Sequence, residues 1–371
     1  MYSSIKKVFS ENPENDLWRE LLQFSYDENV KRYLFEKGLE NNEEIINIIT
    51  GSFLQAFEYY KLSKTANLQI APLLLYYGST NLLNGMCVLT SGEKCDIKNH
   101  GMKIHPDGIK KIADTKVTFL SADSGGVHIF SKVFGFQLNL TEYGDWYLKD
   151  FLDSIAEIHE DYVNCYKNDE GKIILLDVFN TPDGKVEKVY FSQENKEKIA
   201  EKLYGVDNFN KSYLQPTMAK SFNSSEEYFV LRHKINGKDI SEIAYSGQPY
   251  LRASHMKNSK NITVPTIINM YVSLFILASL CRYYPEKWSP FVQKDTTGEK
   301  LLMEKFLFFS RRIIPNIVLD FLTNKKVLYV SDKYQPTETI KLVGEHEVKE
   351  IVKREVALQR EREVMIRKSK I

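Results

Sequence analysis

Hydrophobic residues recur at helical spacing through the first part of the chain. Between Pro13 and about Ser91, apolar side chains follow one another at intervals of three and four residues, which is how one face of a helix repeats. This pattern predicts three helices, over about 14–37, 42–63 and 68–90. The third begins after Asn67, carries Pro72 in its first turns and stops at Gly92, as helix capping preferences expect.

The period changes over about residues 93–260, where short apolar runs are separated by turn residues. Three pairs of runs have the pattern of β-hairpins: 117–120 with 127–130, 173–178 with 186–191, and 228–234 with 240–245. Their predicted turns are 123–126, 181–184 and Asn236-Gly237. Residues 145–166 and 193–204 have helical patterns. The middle of the chain therefore predicts an α+β region with antiparallel pairing.

A run of eighteen residues without a charge, Val264–Cys281, dominates the last third of the chain. It is long enough to cross a bilayer, but it contains Asn269 and Ser273 and stands alone. A helix that is apolar on every side also suits the centre of a globular core, so we expect a buried core helix over 263–284 and no membrane span. Thr263 is the expected N-cap, and Pro285 is expected to end the helix.

Two further helical patterns cover about 298–323 and Glu345–Lys370. Because the helices over 14–90 and 263–323 are apolar enough to need each other, we predict an α+β fold with a mainly helical bundle core and an inserted antiparallel β-rich region. The expected divisions are 1–92 and 261–330 for the two parts of the core, 93–260 for the insertion, and 331–371 for a charged C-terminal helix. That last helix is expected to pack on the body or on a partner protein.

Composition is that of an ordinary soluble protein without a strong charge. Lys and Arg number 50 against 49 Asp and Glu, a net charge of +1, so any binding of nucleic acid must be local. The four cysteines form no CxxC pair and no signal-peptide pattern opens the chain, which predicts a cytoplasmic protein with reduced thiols. The motifs GxxxxGK[ST], GxGxxG, GxSxG and HExxH are absent, so neither a cofactor nor a metal is predicted.

The first candidate for chemistry is the polar segment Lys98–His105. Its two histidines are five residues apart, unlike the helical HxxxH motif, and no carboxylate or cysteine cluster completes a metal site. Two other interpretations stay open. In one, His100 bonds the backbone beside a left-handed turn at Gly101; in the other, Lys98, Asn99 and His100 lie near the phosphate of a ligand.

The second candidate is Arg282, at the last turn of the central helix. A cation there complements the helix dipole, and a planar guanidinium can bind a carboxylate or a phosphate. Trp288, a few residues later, has an N–H that needs an acceptor and is expected to pack over the helix end. Arg252 and His255 precede the central helix and are candidates to point into the same region as its polar ends.

The third candidate is the segment Tyr76–Asn81 in the third predicted helix. Small residues at 78–80 predict the close approach of another helix. Tyr77 and Asn81 are candidate ligand contacts, and Asn81 needs a hydrogen-bond partner if it lies near a buried face. Arg282 and His100 are the candidates for that partner.

Three segments resemble the YaaC-like proteins of Gram-positive bacteria. They are Ala71–Gly78 with the following Asn81–Leu83, then His100-Gly101, and finally Leu280–Trp288. Their order and spacing match over about residues 40–325. The resemblance implies the architecture of that family more than a particular reaction.

A looser resemblance links the helical core to the HEPN superfamily, whose members often act as RNases in toxin and anti-phage systems. Those enzymes carry an Arg followed four to six residues later by a His, and here no histidine follows Arg282 at that distance. The resemblance implies a homodimeric protein of bacterial defence or stress response that cleaves RNA without a metal, with Arg282 stabilising a phosphate and His100 as acid or base. The alternative is a non-catalytic module that binds a nucleotide, RNA or a protein.

Overall fold

The computed structural model describes residues 4–120, 125–167, 169–181, 184–220 and 226–330. Its helices are α1 Pro13–Leu22, α2 Asp27–Lys37, α3 Glu43–Ser63, α4 Ala71–Ser91, α5 Gly126–Val133, α6 Leu148–Leu152, α7 His159–Cys165, α8 Lys196–Tyr204, α9 Phe209–Ser212, α10 Thr266–Tyr283, α11 Pro285–Lys294 and α12 Glu299–Thr323. Its strands are β1 Ile5–Phe9, β2 Met102–His105, β3 Lys116–Phe119, β4 Trp146–Tyr147, β5 Ile173–Leu175, β6 Asp177–Thr181, β7 Gly184–Phe191, β8 Thr217–Lys220, β9 Glu227–Arg232, β10 Glu242–Ile243, β11 Pro249–Arg252, β12 His255–Lys257, β13 Lys260–Ile262 and β14 Lys326–Val330. The predicted α+β class is confirmed.

The helices predicted before residue 92 are present, with one correction. The span 14–37 is two helices, because the backbone turns through a short 3-10 segment and then becomes extended at Tyr26, with φ −110° and ψ 123°. Gly38 ends α2 in the left-handed conformation, and the side chain of Asn42 caps α3 by accepting from the Ile45 N–H. Gly92 ends α4 with φ +71°, as predicted.

Close packing of α4 on α3 depends on two glycines. A Cβ at Gly78 would lie 2.8 Å from the Tyr60 ring, and a Cβ at Gly85 would lie 2.9 Å from the Cβ of Ser52. Distances this short do not occur between real side chains, so α3 approaches α4 only because these positions lack one. The close approach predicted for the small residues at 78–80 is confirmed. Besides α3, α4 also contacts α10 and α12.

The uncharged run forms α10, and 78% of its residues are buried. Of the described helices it is the one with the length and hydropathy of a membrane span, and its burial is that expected of a core helix. Pro285 ends α10 as predicted and then serves as the first residue of α11, a helix that the sequence pattern did not predict. The prediction of Thr263 as N-cap was wrong: extended Pro265 holds that position, while the hydroxyl of Thr263 donates to Asp207.

One of the three predicted hairpins is confirmed. Strands β6 and β7 pair antiparallel from Asp177 opposite Lys188 to Thr181 opposite Gly184. Residues 173–175 leave that hairpin and pair with β11 as β5. The other helical patterns of the middle region are α8 and, over 145–166, the shorter elements β4, α6, a 3-10 turn and α7.

The other two hairpins were wrong. Strand β3 pairs with β2 and β4, while residues 126–133 form α5, whose helical spacing buries Val127 and Phe130. Strand β9 is bonded on one edge to β7 and on the other to β8. Because a strand has only two edges, none was left for residues 240–245, part of which pairs with β11 instead.

Two hydrophobic clusters hold most of the core. The larger one contains residues of α1–α4, α10 and α12 together with apolar side chains between Met102 and Tyr162. The second lies between Ile174 and Ala253 and includes β7, β9, α8 and α9. A parallel pair of β1 with β14 ties the N-terminal segment to the end of α12. The predicted helical bundle and the divisions at 92, 260 and 330 stay predictions, and the C-terminal helix over 345–370 lies outside the described residues.

Candidate functional site

A chain of hydroxyl groups connects α10, α4 and His100. Tyr271, in the middle of α10, donates its O–H to the hydroxyl oxygen of Tyr76 on α4 at 3.2 Å. The Tyr76 hydroxyl in turn lies 2.7 Å from Nδ1 of His100. Thr80, one turn after Tyr76, lies 3.1 Å from the Tyr271 hydroxyl and donates its own O–H to the Tyr76 carbonyl. The ring of His100 is therefore held by the packing of two helices.

The backbone around His100 is fixed by the segment 99–101. Gly101 has φ +77°, the left-handed turn predicted there, and its N–H donates to the side-chain oxygen of Asn99 at 2.7 Å. The carbonyl of Asn99 accepts from the Gly126 N–H at the start of α5. A Cβ at Gly125 would lie 2.5 Å from the Cα of Gly101, so the two glycines permit a backbone contact that positions His100.

The protonation of His100 follows from the hydroxyl chain. Tyr76 accepts from Tyr271, which leaves the hydrogen of its own hydroxyl available to Nδ1 of His100. In that arrangement the proton of a neutral ring resides on Nε2. Burial and the positive charge of Arg282 both lower the pKa of His100, which favours that neutral form. Nε2 has no partner within the part of the chain that the structure describes. The ring thus offers one N–H donor.

Arg282 lies at the C-terminal end of α10 and is exposed. Its Nη1 donates to the hydroxyl of Tyr77, the neighbour of Tyr76 on α4, and its guanidinium lies 5.0 Å from the centre of the Tyr283 ring. The Tyr77 ring stacks on Tyr59 of α3, with 6.1 Å between ring centres. One guanidinium edge is therefore anchored while the rest faces solvent, beside His100. This arrangement can hold an anion between two donors.

Trp288 and Cys281, at the junction of α10 and α11, pack against the protein and bond to its backbone. Trp288 is fully buried, and its indole N–H donates to the Gln69 carbonyl at 3.2 Å. The same carbonyl accepts from the Cys281 thiol. The packing role predicted for Trp288 is confirmed.

Three other predicted site residues bond to groups close to them in the chain. Asn81 donates to the Tyr77 carbonyl of its own helix at 3.1 Å, so neither Arg282 nor His100 is its hydrogen-bond partner. Lys98 is exposed and pairs with Asp96 at 3.1 Å. Asn99 shapes the turn that carries His100, through the bonds described above. Whether any of them contacts a ligand stays a prediction.

Arg252 and His255 lie at the other end of α10. Arg252 is buried and donates to the Val264 carbonyl and the Thr266 hydroxyl, where α10 begins. His255 is buried against Trp146, and its Nε2 lies 3.1 Å from the Ser154 hydroxyl. With 18 residues, α10 is roughly 27 Å long. Arg252 and His255 therefore do not share a site with Arg282.

Neither Arg282 nor His100 lines any of the three cavities that we find among the described residues. The two groups therefore lie outside these three cavities, and Arg282 is exposed at the protein surface. Tyr271 was not predicted from the sequence as a site residue. A tyrosine inside a run without charges was the available signal, because a buried phenol needs a hydrogen-bond partner.

A further cluster of two carboxylates and a histidine lies at β7 and the segment after β9. Glu187, His233 and Asp239 place one ligand atom each within 4.8 Å of the others, a spacing that can hold a metal ion. Here the ammonium of Lys185 lies 2.6 Å from Glu187 and 2.8 Å from Asp239. Lys185 of β7 therefore supplies the positive charge that these two carboxylates contact.

Comparison with known proteins gives one match. A family model described as YaaC-like Protein matches residues 14–322, a span that includes all the candidate site residues. No curated protein and no solved structure matches the chain. The resemblance to HEPN domains receives no support from these comparisons.

Proposed function

We propose that this protein, which belongs to the YaaC-like family, binds a ligand that carries a phosphate group at the C-terminal end of α10. The ligand is either a nucleotide or RNA. The observation that carries the proposal is the pairing of an exposed, anchored guanidinium at Arg282 with a neutral imidazole at His100 whose Nε2–H has no partner among the described residues. Both groups donate, and neither forms an ion pair with a carboxylate of the described residues.

The helix dipole opposes this assignment, but by less than the donors contribute. The C-terminal end of a helix repels an anion by about 0.3–1 kcal/mol. A hydrogen bond between charged partners contributes about 1.5–3 kcal/mol. Two donors, one of them charged, therefore outweigh the dipole. The planar guanidinium also suits two phosphate oxygens at once.

Binding is tested by fluorescence anisotropy with a labelled single-stranded RNA and, separately, with a fluorescent ATP analogue. Arg282→Met and His100→Ala are each expected to weaken binding by at least about tenfold, because each removes one donor. His100→Gln is expected to bind nearly as well as the wild type, because its amide keeps an acceptor for Tyr76 and a donor for the ligand. Lys294→Met, a change of an exposed cation in α11, is the control. Unchanged affinity in Arg282→Met would overturn the proposal.

Cleavage of RNA is the second candidate, in a protein of bacterial defence or stress response. The observation in its favour is the chain from Tyr271 through Tyr76 to His100, since linked hydroxyls can relay a proton to an imidazole. Labelled RNA incubated with the protein and a chelator should then give fragments. His100→Gln separates the two candidates, because an amide can bind but cannot accept and release a proton. RNA that stays intact with the wild type would exclude cleavage.

We also propose that the protein forms a homodimer and that its C-terminal segment contacts a protein partner. Leu301 and Phe308 of α12 are 66% and 57% exposed, and their seven-residue spacing puts them on one helix face. Light scattering after size-exclusion chromatography should give twice the chain mass, and Phe308→Lys should lower it. A monomer at all concentrations would contradict the homodimer.

A further inference from the structure

A cavity of about 310 Å³ opens where α10 begins, at the end opposite Arg282. Strands β10 and β11, the first residue of β14 and the 3-10 turn before α7 contribute to it. The charged side chains that line it are Glu157, Glu242, Arg252 and Lys326, and hydroxyl groups line it as well. The volume lies at the small end of the range for ligand pockets, about 300–1,000 Å³. A small organic ligand is therefore of the right size.

Lys326 supplies a cation that the protein leaves without a hydrogen bond. The side chain is half-buried, and its Nζ lies 3.8 Å from the centre of the Tyr245 ring. No acceptor in the described part of the chain bonds to this ammonium. The nearby carboxylate of Asp320 is already occupied, by the Tyr245 hydroxyl at 2.6 Å and the Val327 N–H at 2.7 Å. Burial lowers the pKa of Lys326, as expected for an ammonium short of partners.

Glu157 places a carboxylate on the same cavity, and the described part of the protein hydrogen-bonds only one of its two oxygens. One of its carboxylate oxygens accepts from the Tyr245 N–H at 2.8 Å. The other has no hydrogen-bond donor, and no cation lies within 4.0 Å of the carboxylate, in the ranges the structure describes. Lys326 and Glu157 therefore line one cavity without forming an ion pair with each other.

The remaining charges in the cavity satisfy one another. Arg252 donates to Glu242 at 2.9 Å and to the Tyr250 hydroxyl at 2.8 Å. This pair is neutral as a unit. No side chain caps the first backbone N–H groups of α10, at Thr266 and Ile267. These N–H groups are available as hydrogen-bond donors on the side of the cavity near Arg252.

We propose that this cavity binds a small zwitterion of the α-amino acid class, whose carboxylate is held by Lys326 and the start of α10 and whose ammonium is held by Glu157. A simple anion would face the unpaired carboxylate of Glu157, and a simple cation would face the unpaired ammonium of Lys326. A ligand with both charges satisfies both groups. Apolar residues of the lining, Phe134 and Ile317 among them, offer a surface to its side chain. This amino-acid site is independent of the phosphate site proposed at the other end of α10.

The test uses the full chain and the twenty standard L-amino acids, each at millimolar concentration, followed by thermal shift and then calorimetry. At least one amino acid should bind, while its N-acetyl derivative and its decarboxylated amine should each bind at least about tenfold more weakly. Lys326→Met and Glu157→Gln should each weaken binding to a similar extent. The matched controls are Lys325→Met and Glu160→Gln, exposed neighbours that do not line the cavity, and they should leave affinity unchanged.

Glu157→Gln keeps the test valid if Lys326→Met folds poorly. A glutamine carbonyl still accepts from the Tyr245 N–H, so this variant removes the charge and retains the structural bond. Three results would overturn the proposal: no binding by any of the twenty amino acids, equal binding of the N-acetyl or amine derivative, or full affinity in Glu157→Gln.

Discussion

Alanine at Gly78 is expected to destabilise the protein, whereas alanine at Gly51 is expected to stabilise it. Both glycines are inside helices, α4 and α3 respectively. At Gly51 a Cβ has no neighbour within 4 Å. The variant should gain the usual advantage of alanine over glycine in a helix, about 1 kcal/mol.

At Gly78 the same gain is opposed by a steric conflict. The new Cβ would lie 2.8 Å from the Tyr60 ring and 3.0 Å from the Cβ of Tyr59. The ring of Tyr60 cannot easily move, since it is fully buried and its hydroxyl lies 2.8 Å from the Ser79 hydroxyl. Overpacking of this kind costs about 2–3 kcal/mol, so a net loss of about 1–2 kcal/mol remains after the helical gain.

The assay is guanidinium chloride unfolding followed by circular dichroism, which compares the free energy of unfolding of the wild type and both variants. A double variant, Gly78→Ala with Tyr60→Leu, should lose less than the sum of its single changes by about 1 kcal/mol, because the smaller side chain makes room for the new Cβ. The steric explanation would be refuted if Gly78→Ala were as stable as the wild type. It would also fail if Gly51→Ala lost as much stability as Gly78→Ala, since the loss would then have no relation to the gap between α3 and α4.

Three further predictions follow from charged groups. Burial raises the pKa of Asp320 to about 6 from 3.8, so the folded protein binds a proton at this carboxyl more tightly than the unfolded chain does. Protonation of Asp320 therefore stabilises the fold by about 3 kcal/mol. This stabilisation is fully present below pH 3.8 and is lost as the pH rises through about 6. Asp320→Asn should therefore flatten the melting temperature between pH 4 and 6, and an unchanged pH profile would contradict this assignment. Arg282→Met should raise the pKa of His100 in an NMR titration, yet leave it below the ordinary value, because burial, the larger cause, persists; no change would mean that the two groups do not interact. Lys185→Met removes the ammonium 2.6 Å from the fully buried carboxylate of Glu187 and should lower the free energy of denaturant unfolding by about 3 kcal/mol, whereas a loss near zero would show that this carboxylate is solvated or protonated.

Helices could be predicted from the sequence because their determinants are local. The spacing of apolar residues, the glycines at 38 and 92 and Pro285 act within a few residues of themselves. The same local rules missed the break at Tyr26 and the helix α11. Strand pairing was harder, because the partner of a strand is chosen by every strand that competes for its edges. Strand β9 is an example: it pairs with β7 on one edge and with β8 on the other, so the pairing predicted with residues 240–245 could not form.

Part of the candidate site could also be inferred from the sequence. Arg282 was identifiable because it ends an uncharged helical run and its planar guanidinium can bind a carboxylate or a phosphate, and His100 because it precedes a glycine in a polar segment. Arg252 could have been separated from them by counting, since it precedes a helix of 18 residues and Arg282 ends it. Their assignment to one region ignored the length that a helix covers, about 1.5 Å for each residue.

The sequence alone determined the long helices, the core position of α10, the α+β class and the family resemblance, all of which rest on local periodicity or short motifs. Only the tertiary structure decided which groups meet. It brought Tyr271 of α10 onto Tyr76 of α4 and the Tyr76 hydroxyl onto Nδ1 of His100, and it placed Lys326 and Glu157 on one cavity without pairing them. These relations depend on how distant segments pack, and the side chains that fix that packing are spread over the whole chain.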